Sequence, residues 1–135
     1  MNSIHILLVE DNEGDIILTS EALEESDIPN KISIAKDGKL AIDFLNKEDQ
    51  FENVESPDLI LLDINLPKKN GHEVLEYIKS SETLKKIPVI LLSTSSSKKD
   101  IQECYKHHAN GYITKPFDVD VFKLAIAKIE NFSAI

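Results

Sequence analysis

The stretch LILLDINLPKKNG, residues 59–71, contains a dense run of aliphatic residues that leads into an aspartate, Asp63. A proline, Pro67, and a glycine, Gly71, follow shortly after it. Dense aliphatic runs of this kind are typical of buried strands. A carboxylate at the end of such a run needs an explanation, because burying a charge is costly unless the charge is paired or coordinated.

Further runs elsewhere in the chain resemble that strand, and segments with helical periodicity separate them. The strand-like runs cover residues 5–9, 31–35, 58–62, 88–92 and 111–114. The helical segments cover residues 13–26, 38–47, 71–80, 98–108 and 118–132. Candidate N-caps support two of these helix starts, because Asn12 and Ser97 are each followed three residues later by an aspartate.

Alternation of strand and helix predicts an α/β fold, a doubly wound sheet of five parallel strands with five helices on its two faces. The first, third and fourth runs are almost wholly aliphatic, as central parallel strands are. The second run, KISIA at residues 31–35, alternates with polar residues and is expected near an edge. In such sheets ligands bind beyond the carboxyl ends of the strands, which is where Asp63 falls.

Composition limits the kinds of function open to this chain. Its 135 residues, 41% hydrophobic and 29% charged, predict one globular domain over residues 1–135. No apolar run approaches the ~18 residues of a membrane span. The start MNSIHILLVED lacks a basic leader segment, and the single cysteine, Cys104, cannot form an internal disulfide. A cytoplasmic location is therefore expected.

The charge of the chain argues against nucleic acid as a partner. Net charge is −9, and all fifteen basic residues are lysines. Arginine is the side chain best suited to bidentate recognition of guanine and phosphate. An acidic chain without arginine is a poor candidate for nucleic-acid binding, and we expect neither a nucleic acid nor a membrane as partner.

Reactive side chains follow several of the predicted strands at the point where each strand ends. If the strands are parallel and adjacent, these side chains converge at one edge of the sheet. The converging residues are Glu10, Asp11, Asp63, Ser93 with Thr94 beside it, and Lys115.

Clustered carboxylates repel one another, and a hard divalent cation relieves that repulsion. Mg²⁺ prefers oxygen ligands and completes its shell with waters and phosphate oxygens. A lysine adds a mobile positive charge suited to a phosphoryl oxygen, and a hydroxyl adds a hydrogen-bond donor. Together these groups have the parts needed to place a phosphoryl group on an aspartate.

Four stretches in this order and spacing resemble the receiver domain of bacterial two-component response regulators, in particular the single-domain, chemotaxis-regulator-like members. The stretches are VEDNEGD (9–15), LILLDINLPKKNG (59–71), PVILLSTS (88–95) and GYITKPFD (111–118). The resemblance extends over about residues 4–131. It implies the flavodoxin-like receiver fold with strand order 2-1-3-4-5, without an output domain. VEDNEGD and HHANGYITKP (107–116) also resemble the phytochrome-associated response regulator subgroup, more weakly.

The resemblance implies a role for each matching site residue. Asp63 matches the phosphoacceptor, and Lys115 matches the lysine that contacts the phosphoryl group. Asp11 matches the main metal-binding acid, with Glu10 beside it. Asn65 matches the residue whose main-chain carbonyl binds Mg²⁺, and Asp63 completes that ligand set.

The resemblance also implies a conformational switch. Ser93 matches the switch hydroxyl, with Thr94 as the alternative, and Tyr112 matches the aromatic residue that turns inward when the hydroxyl moves. The bond between Lys115 and Pro116 is usually cis in this family. Ser95, two residues after Ser93, occupies a position that tunes the lifetime of the phosphoryl group in the family.

The implied function is a phosphoacceptor response regulator, a phosphorelay signalling domain that assists its own phosphorylation and dephosphorylation and is not an enzyme. The phosphodonor is a sensor histidine kinase or a phosphotransfer protein. The signal passes to a downstream protein or into a homodimer formed through helix four, strand five and helix five.

Three other functions are compatible with parts of this pattern. A receiver-like interaction module without phosphotransfer would have lost the acid pair, the acceptor or the lysine, all of which are present. An aspartyl phosphatase of the haloacid dehalogenase type normally has a second acid two residues after its nucleophile, where Asn65 stands. A flavodoxin-like electron carrier conflicts with the acidic turn VEDNEGD, which is hostile to a flavin phosphate.

Cys104 and His108 lie four residues apart in the predicted fourth helix, a spacing that metal ligands use. They share a face with Ile101 and Tyr105, so we expect partial core packing instead. A glycine is common at position 108 in the family, and the pair His107–His108 is therefore expected to affect the end of this helix.

Overall fold

The computed structural model describes residues 3–66 and 70–129. Strands and helices alternate along the chain as predicted. Their bounds are β1 Ile4–Val9, α1 Glu13–Glu25, β2 Asn30–Ala35, α2 Gly38–Leu45, β3 Leu59–Asp63, α3 Gly71–Ser80, β4 Val89–Ser93, α4 Lys98–Lys106, β5 Gly111–Thr114 and α5 Val119–Ala127. A short 3₁₀ helix at Asp49–Phe51 was not predicted. Pro67 and residues 130–132, which we assigned to the fifth helix, lie outside the described residues.

All five strands form one parallel sheet in the order β2-β1-β3-β4-β5, which confirms the predicted topology. β1, β3 and β4 are buried along their whole length, whereas β2 lies at an edge and is only partly buried. The register pairs Val9 with Leu62, and Asp63 with Leu92. The carboxyl ends of the three central strands therefore meet at one edge.

Alternate residues of the central strands face opposite sides of the sheet, and each side holds its own hydrophobic core. Leu62 and Leu91 pack with residues of α2, α3 and α4. Leu61 and Leu92 pack with residues of α1 and α5. Each fully buried leucine contributes ~2 kcal/mol of hydrophobic stabilisation. The two cores thus anchor the strand ends that carry the polar side chains.

Helix starts follow the predicted caps. The Asn12 side chain accepts a hydrogen bond from the Asp15 amide at 2.9 Å, and Ser97 accepts one from the Asp100 amide at 3.1 Å. A complete capping box, formed by Asn70 and Glu73, begins α3 and was not predicted. No helix in the described part of the chain is long and apolar enough to cross a membrane.

The fourth helix ends earlier than predicted, and the prediction that Tyr105 lies on its core-facing side is wrong. Cys104 is fully buried, and burial raises the pKa of its thiol to about 11. Tyr105, however, is 49% exposed. His107 caps the helix, and His108 lies beyond it with a φ of 72°, the left-handed region that glycine adopts most easily. Cys104 and His108 are therefore not a helical pair.

Candidate functional site

The acidic cluster predicted at the strand ends is present. Carboxylate oxygens of Glu10, Asp11 and Asp63 all lie within 4.8 Å of one another. Glu10 is fully buried and Asp63 is 4% exposed, whereas Asp11 faces solvent. The backbone amide of Glu10 continues the sheet by donating to the Ala35 carbonyl at 3.0 Å. Backbone pairing along the strands therefore holds the cluster together against its own charge repulsion.

Lys115 projects into this cluster from the end of β5. Its ammonium nitrogen lies 2.9 Å from Glu10, 2.9 Å from Asp15 and 3.5 Å from Asp63. The Lys115 amide donates to the Ser93 carbonyl at 2.7 Å, which fixes the chain where the lysine emerges. The Lys115–Pro116 peptide bond is cis, as the resemblance implied.

Burial and neighbouring charges shift the pKa values of Glu10 and Lys115. Burial raises the pKa of Glu10, neighbouring Asp63 raises it further, and Lys115 offsets part of the rise. Burial alone would lower the pKa of Lys115, but its bonds to Glu10 and Asp15 outweigh that effect and raise the pKa. Lys115 is therefore a firmly protonated cation, and one ammonium faces several carboxylates.

The donor set of the cluster suits a hard divalent cation. Glu10, Asp11 and Asp63 offer only carboxylate oxygens, the ligand type that Mg²⁺, Ca²⁺ and Mn²⁺ share and that soft metals do not favour. Excess negative charge next to Lys115 favours an additional cation. Asn65 lies just beyond, with its amide donating to Asp63 Oδ1 at 3.2 Å. A metal role for the Asn65 carbonyl stays a prediction.

The two candidate switch hydroxyls differ in their surroundings. Ser93 is the buried last residue of β4, whereas Thr94 is exposed. Ser93 Oγ accepts a hydrogen bond from the Ser95 amide at 3.1 Å, and the Tyr112 hydroxyl donates to the Ser95 carbonyl at 2.6 Å. Ser93 and Tyr112 are thus joined through one residue of the β4–α4 loop. The switch roles themselves stay predictions.

Two open pockets flank the cluster. One, of about 350 Å³, lies between α1 and the β5–α5 connection, with Leu18, Thr94, Lys115 and Phe117 among its lining residues. The other, of about 360 Å³, is lined on its β4 side by Ser93, Thr94 and Ser95. Both pockets give access from solvent to the edge of the sheet where the predicted site residues lie.

Asp15 and Asp100 make contacts at the site that the sequence did not reveal. In the sequence, each is only an acidic residue three positions after a helix cap. Asp15 instead binds Lys115, and Asp100 accepts a 2.6 Å hydrogen bond from the Ser95 hydroxyl. Neither contact has a local sequence signal, because the Asp15 partner lies 100 residues away and the Asp100 bond depends on the path of a loop.

Known proteins are similar to this chain both in sequence and in architecture. Residues 6–127 match the family described as the response regulator receiver domain. The response regulator Rcp1 of Synechocystis sp. is 45% identical over 128 residues, which cover 94% of this chain and 86% of Rcp1.

Two solved structures resemble the fold closely. The crystal structure of the phosphorylated cyanobacterial phytochrome response regulator RcpA matches with a TM-score of 0.81 and 47% identity, covering 92% of this chain and 89% of that one. The Mn²⁺-bound form of Rcp1 matches with a TM-score of 0.81 and 41% identity, covering 98% and 99%. Both resemblances inferred from the motifs are confirmed, since phytochrome-associated regulators are among the relatives. The chain belongs to the response regulator receiver domain family, whose members act as phosphoacceptors in two-component signalling.

Proposed function

We propose that this chain accepts a phosphoryl group on Asp63 and signals through the conformational change that follows. The observation that supports this most directly is the position of Lys115, whose ammonium lies 3.5 Å from the buried Asp63 carboxylate beside the acidic cluster. A carboxylate nucleophile, a cation beside it and a set of metal-binding oxygens thus stand at one solvent-accessible edge.

In this reaction an Asp63 oxygen attacks the phosphorus of a phosphohistidine in line with the departing nitrogen. The phosphorus–nitrogen bond breaks as the oxygen–phosphorus bond forms, and the imidazole leaves with the electron pair. Lys115 faces the charge that remains on the phosphoryl oxygens, and Ser93 offers its hydroxyl as a donor. Glu10, Asp11, Asp63 and the Asn65 carbonyl would hold Mg²⁺, which would supply positive charge to the site.

The proposed phosphodonor is a sensor histidine kinase or a phosphotransfer protein. The pocket beside Lys115 provides an approach to the site from solvent. Ile17 and Leu18 of α1 are 56% and 58% exposed, and Leu18 lines this pocket. Exposed aliphatic residues next to a reactive centre favour docking of a protein rather than a small polar substrate. This chain assists the transfer but turns over no external substrate, which separates it from an aspartyl phosphatase.

The test is intact-protein mass spectrometry after incubation with acetyl phosphate, with and without Mg²⁺. We expect a metal-dependent gain of one phosphoryl group, about 80 Da. If neither acetyl phosphate nor a purified histidine kinase labels the chain, and beryllofluoride does not bind, the chain is a receiver-like interaction module without phosphotransfer. Turnover of p-nitrophenyl phosphate would instead indicate the phosphatase.

Mg²⁺ is expected to raise the melting temperature (Tm), because it binds the folded cluster and relieves repulsion among the carboxylates. At a concentration one hundred times the dissociation constant, a ligand adds ~2.7 kcal/mol to the free energy of unfolding.

Asp11→Asn is expected to weaken Mg²⁺ binding, measured by calorimetry, by about tenfold or more. Asp120→Asn, an exposed site in α5, is the control. Equal Mg²⁺ affinity in wild type and Asp11→Asn would contradict the metal assignment.

The output surface is proposed to comprise α4, β5 and α5. Tyr105, Val121 and Leu124 on these helices are 49%, 41% and 62% exposed. Movement of Ser93 toward the phosphoryl group would break its contact with the Ser95 amide, and Tyr112 would follow because its hydroxyl is bonded to the same residue. Phosphorylation thus shifts a two-state equilibrium of this surface.

The signal is transmitted either by formation of a homodimer through this surface or by contact with a downstream protein. For a homodimer we expect the sedimentation coefficient to increase when Mg²⁺ and beryllofluoride are added. The same measurement on Leu124→Lys is the matched control, since a lysine in an apolar interface would prevent association. Equal sedimentation with and without beryllofluoride would favour the downstream protein. The cytoplasmic location and the assignment of residues 1–135 to one receiver domain stay predictions.

A further inference from the structure

The contact between Asp15 and Lys115 has no place in the phosphorylation chemistry described above. Asp15 lies in the first turn of α1, and its backbone amide is held by the Asn12 cap. Its carboxylate bonds to the Lys115 ammonium at 2.9 Å, closer than the 3.5 Å that separates Lys115 from Asp63. The Asp15 side chain is 37% exposed, whereas that of Lys115 is only 10% exposed.

The geometry around Lys115 indicates how this contact could assist phosphoryl transfer. A lysine ammonium carries three N–H donors. Two of them are occupied by the bonds to Glu10 and Asp15, both at 2.9 Å. The remaining donor is available on the side of Asp63, where the distance is 3.5 Å and no full hydrogen bond is made. Lys115 is thus fixed by its bonds to Glu10 and Asp15, while its third N–H donor stays available next to Asp63.

Glu10 and Asp15 differ in what else they bind. Glu10 belongs to the carboxylate cluster that suits a divalent cation, so it would contact both Lys115 and a bound metal ion. The carboxylate of Asp15 lies outside that cluster and comes from a helix rather than from a strand end. A cation bound at the cluster would therefore compete with Lys115 for Glu10 but not for Asp15.

We propose that Asp15 is a positioning residue for phosphoryl transfer, which fixes the Lys115 ammonium so that its free donor faces the phosphoryl group on Asp63. This inference rests on the proposed function of Asp63. A flexible lysine side chain loses conformational entropy when one of its N–H donors must point in a fixed direction. A contact that already restricts Lys115 before phosphoryl transfer lowers this entropic cost.

The test compares Asp15→Asn with a matched control, Glu13→Gln. Both substitutions remove one negative charge from the first turn of α1, so both have a similar effect on the helix dipole. Glu13 pairs with Lys36 on the surface, and the ion pairs of Lys115 among the described residues are with Glu10, Asp15 and Asp63 instead. We expect Asp15→Asn to lower the rate of acetyl-phosphate labelling and the affinity for beryllofluoride by about five- to tenfold. Glu13→Gln is expected to match the wild type in both measurements.

A second measurement tests the anchor without phosphate chemistry. In the wild type, the two Hε protons of Lys115 are expected to show separate NMR shifts because the side chain is held in one orientation. In Asp15→Asn these shifts should converge, while Glu13→Gln keeps them apart. Asp15→Glu restores the charge and is expected to recover part of the labelling rate, which a merely structural role in α1 would not explain.

The outcomes separate the two proposals. If the wild type takes neither phosphoryl group nor beryllofluoride, the proposed function fails, while the NMR comparison still decides whether Asp15 anchors Lys115. If the wild type is labelled and Asp15→Asn is labelled at an equal or higher rate, the positioning role of Asp15 is overturned. The same holds if Glu13→Gln slows labelling as much as Asp15→Asn does.

Discussion

We expect Asp63→Asn to abolish phosphoryl labelling while the protein keeps its fold. Asparagine has nearly the same shape as aspartate, but its amide is a poor nucleophile and carries no charge to attract the metal. Asp63 sits at the end of a fully buried strand, so the replacement leaves the packing of β3 intact. Because a charge next to Glu10 and Asp11 is removed, the Tm without Mg²⁺ should not fall.

Asp58→Asn is the matched control for this experiment, because Asp58 precedes the same strand at its opposite end. Its carboxylate accepts a 2.8 Å hydrogen bond from the His5 amide, and an asparagine oxygen can still accept that bond. Labelling of Asp58→Asn should equal that of the wild type. Unchanged labelling of Asp63→Asn that survives acid would identify a hydroxyl side chain as the acceptor and remove Asp63 from the site.

Gly71→Ala should destabilise the fold by about 3 kcal/mol, because an added methyl group meets backbone that cannot move freely. A Cβ at Gly71 would lie 2.5 Å from the Ile64 Cα and 2.6 Å from the Asp63 carbonyl oxygen. The Gly71 amide also donates to the Ile64 carbonyl at 2.8 Å, which keeps the two segments close. The Tm is expected to fall by ~10 °C, measured by calorimetry.

Gly14→Ala provides the comparison, since Gly14 also lies in the first turn of a helix. There the nearest atom to an added Cβ is the Asn12 side-chain oxygen at 3.2 Å, and that side chain can shift. We expect a change of under ~1 kcal/mol at Gly14. Since the Gly71 clash presses on the backbone of Asp63 itself, acetyl-phosphate labelling of Gly71→Ala should also slow. A Tm within the error of the wild type would show that the β3–α3 connection yields easily.

Hydrophobic periodicity was sufficient to predict the sheet. Runs such as 58–62 and 88–92 are apolar on both faces, and only a strand covered from both sides tolerates that pattern. The ends of elements were less exact. The third strand includes Asp63, and the fourth helix ends at Lys106 rather than at residue 108. The periodicity of Ile101, Cys104 and Tyr105 suggested a wider buried face than the structure has, because hydrophobic spacing does not show how closely a helix approaches the sheet.

The sequence by itself determined which residues stand at the carboxyl ends of the strands. Each side chain is attached to its own strand, and parallel pairing brings those ends to one edge, so Glu10, Asp63 and Lys115 meet once the strand order implied by the family resemblance is added. Only the tertiary structure determined which groups these side chains form hydrogen bonds with. The bonds from Lys115 to Asp15 and from Tyr112 to Ser95 join separate elements. Such bonds depend on rotamers, loop paths and distances of a few ångströms, which only the packing of the whole domain sets.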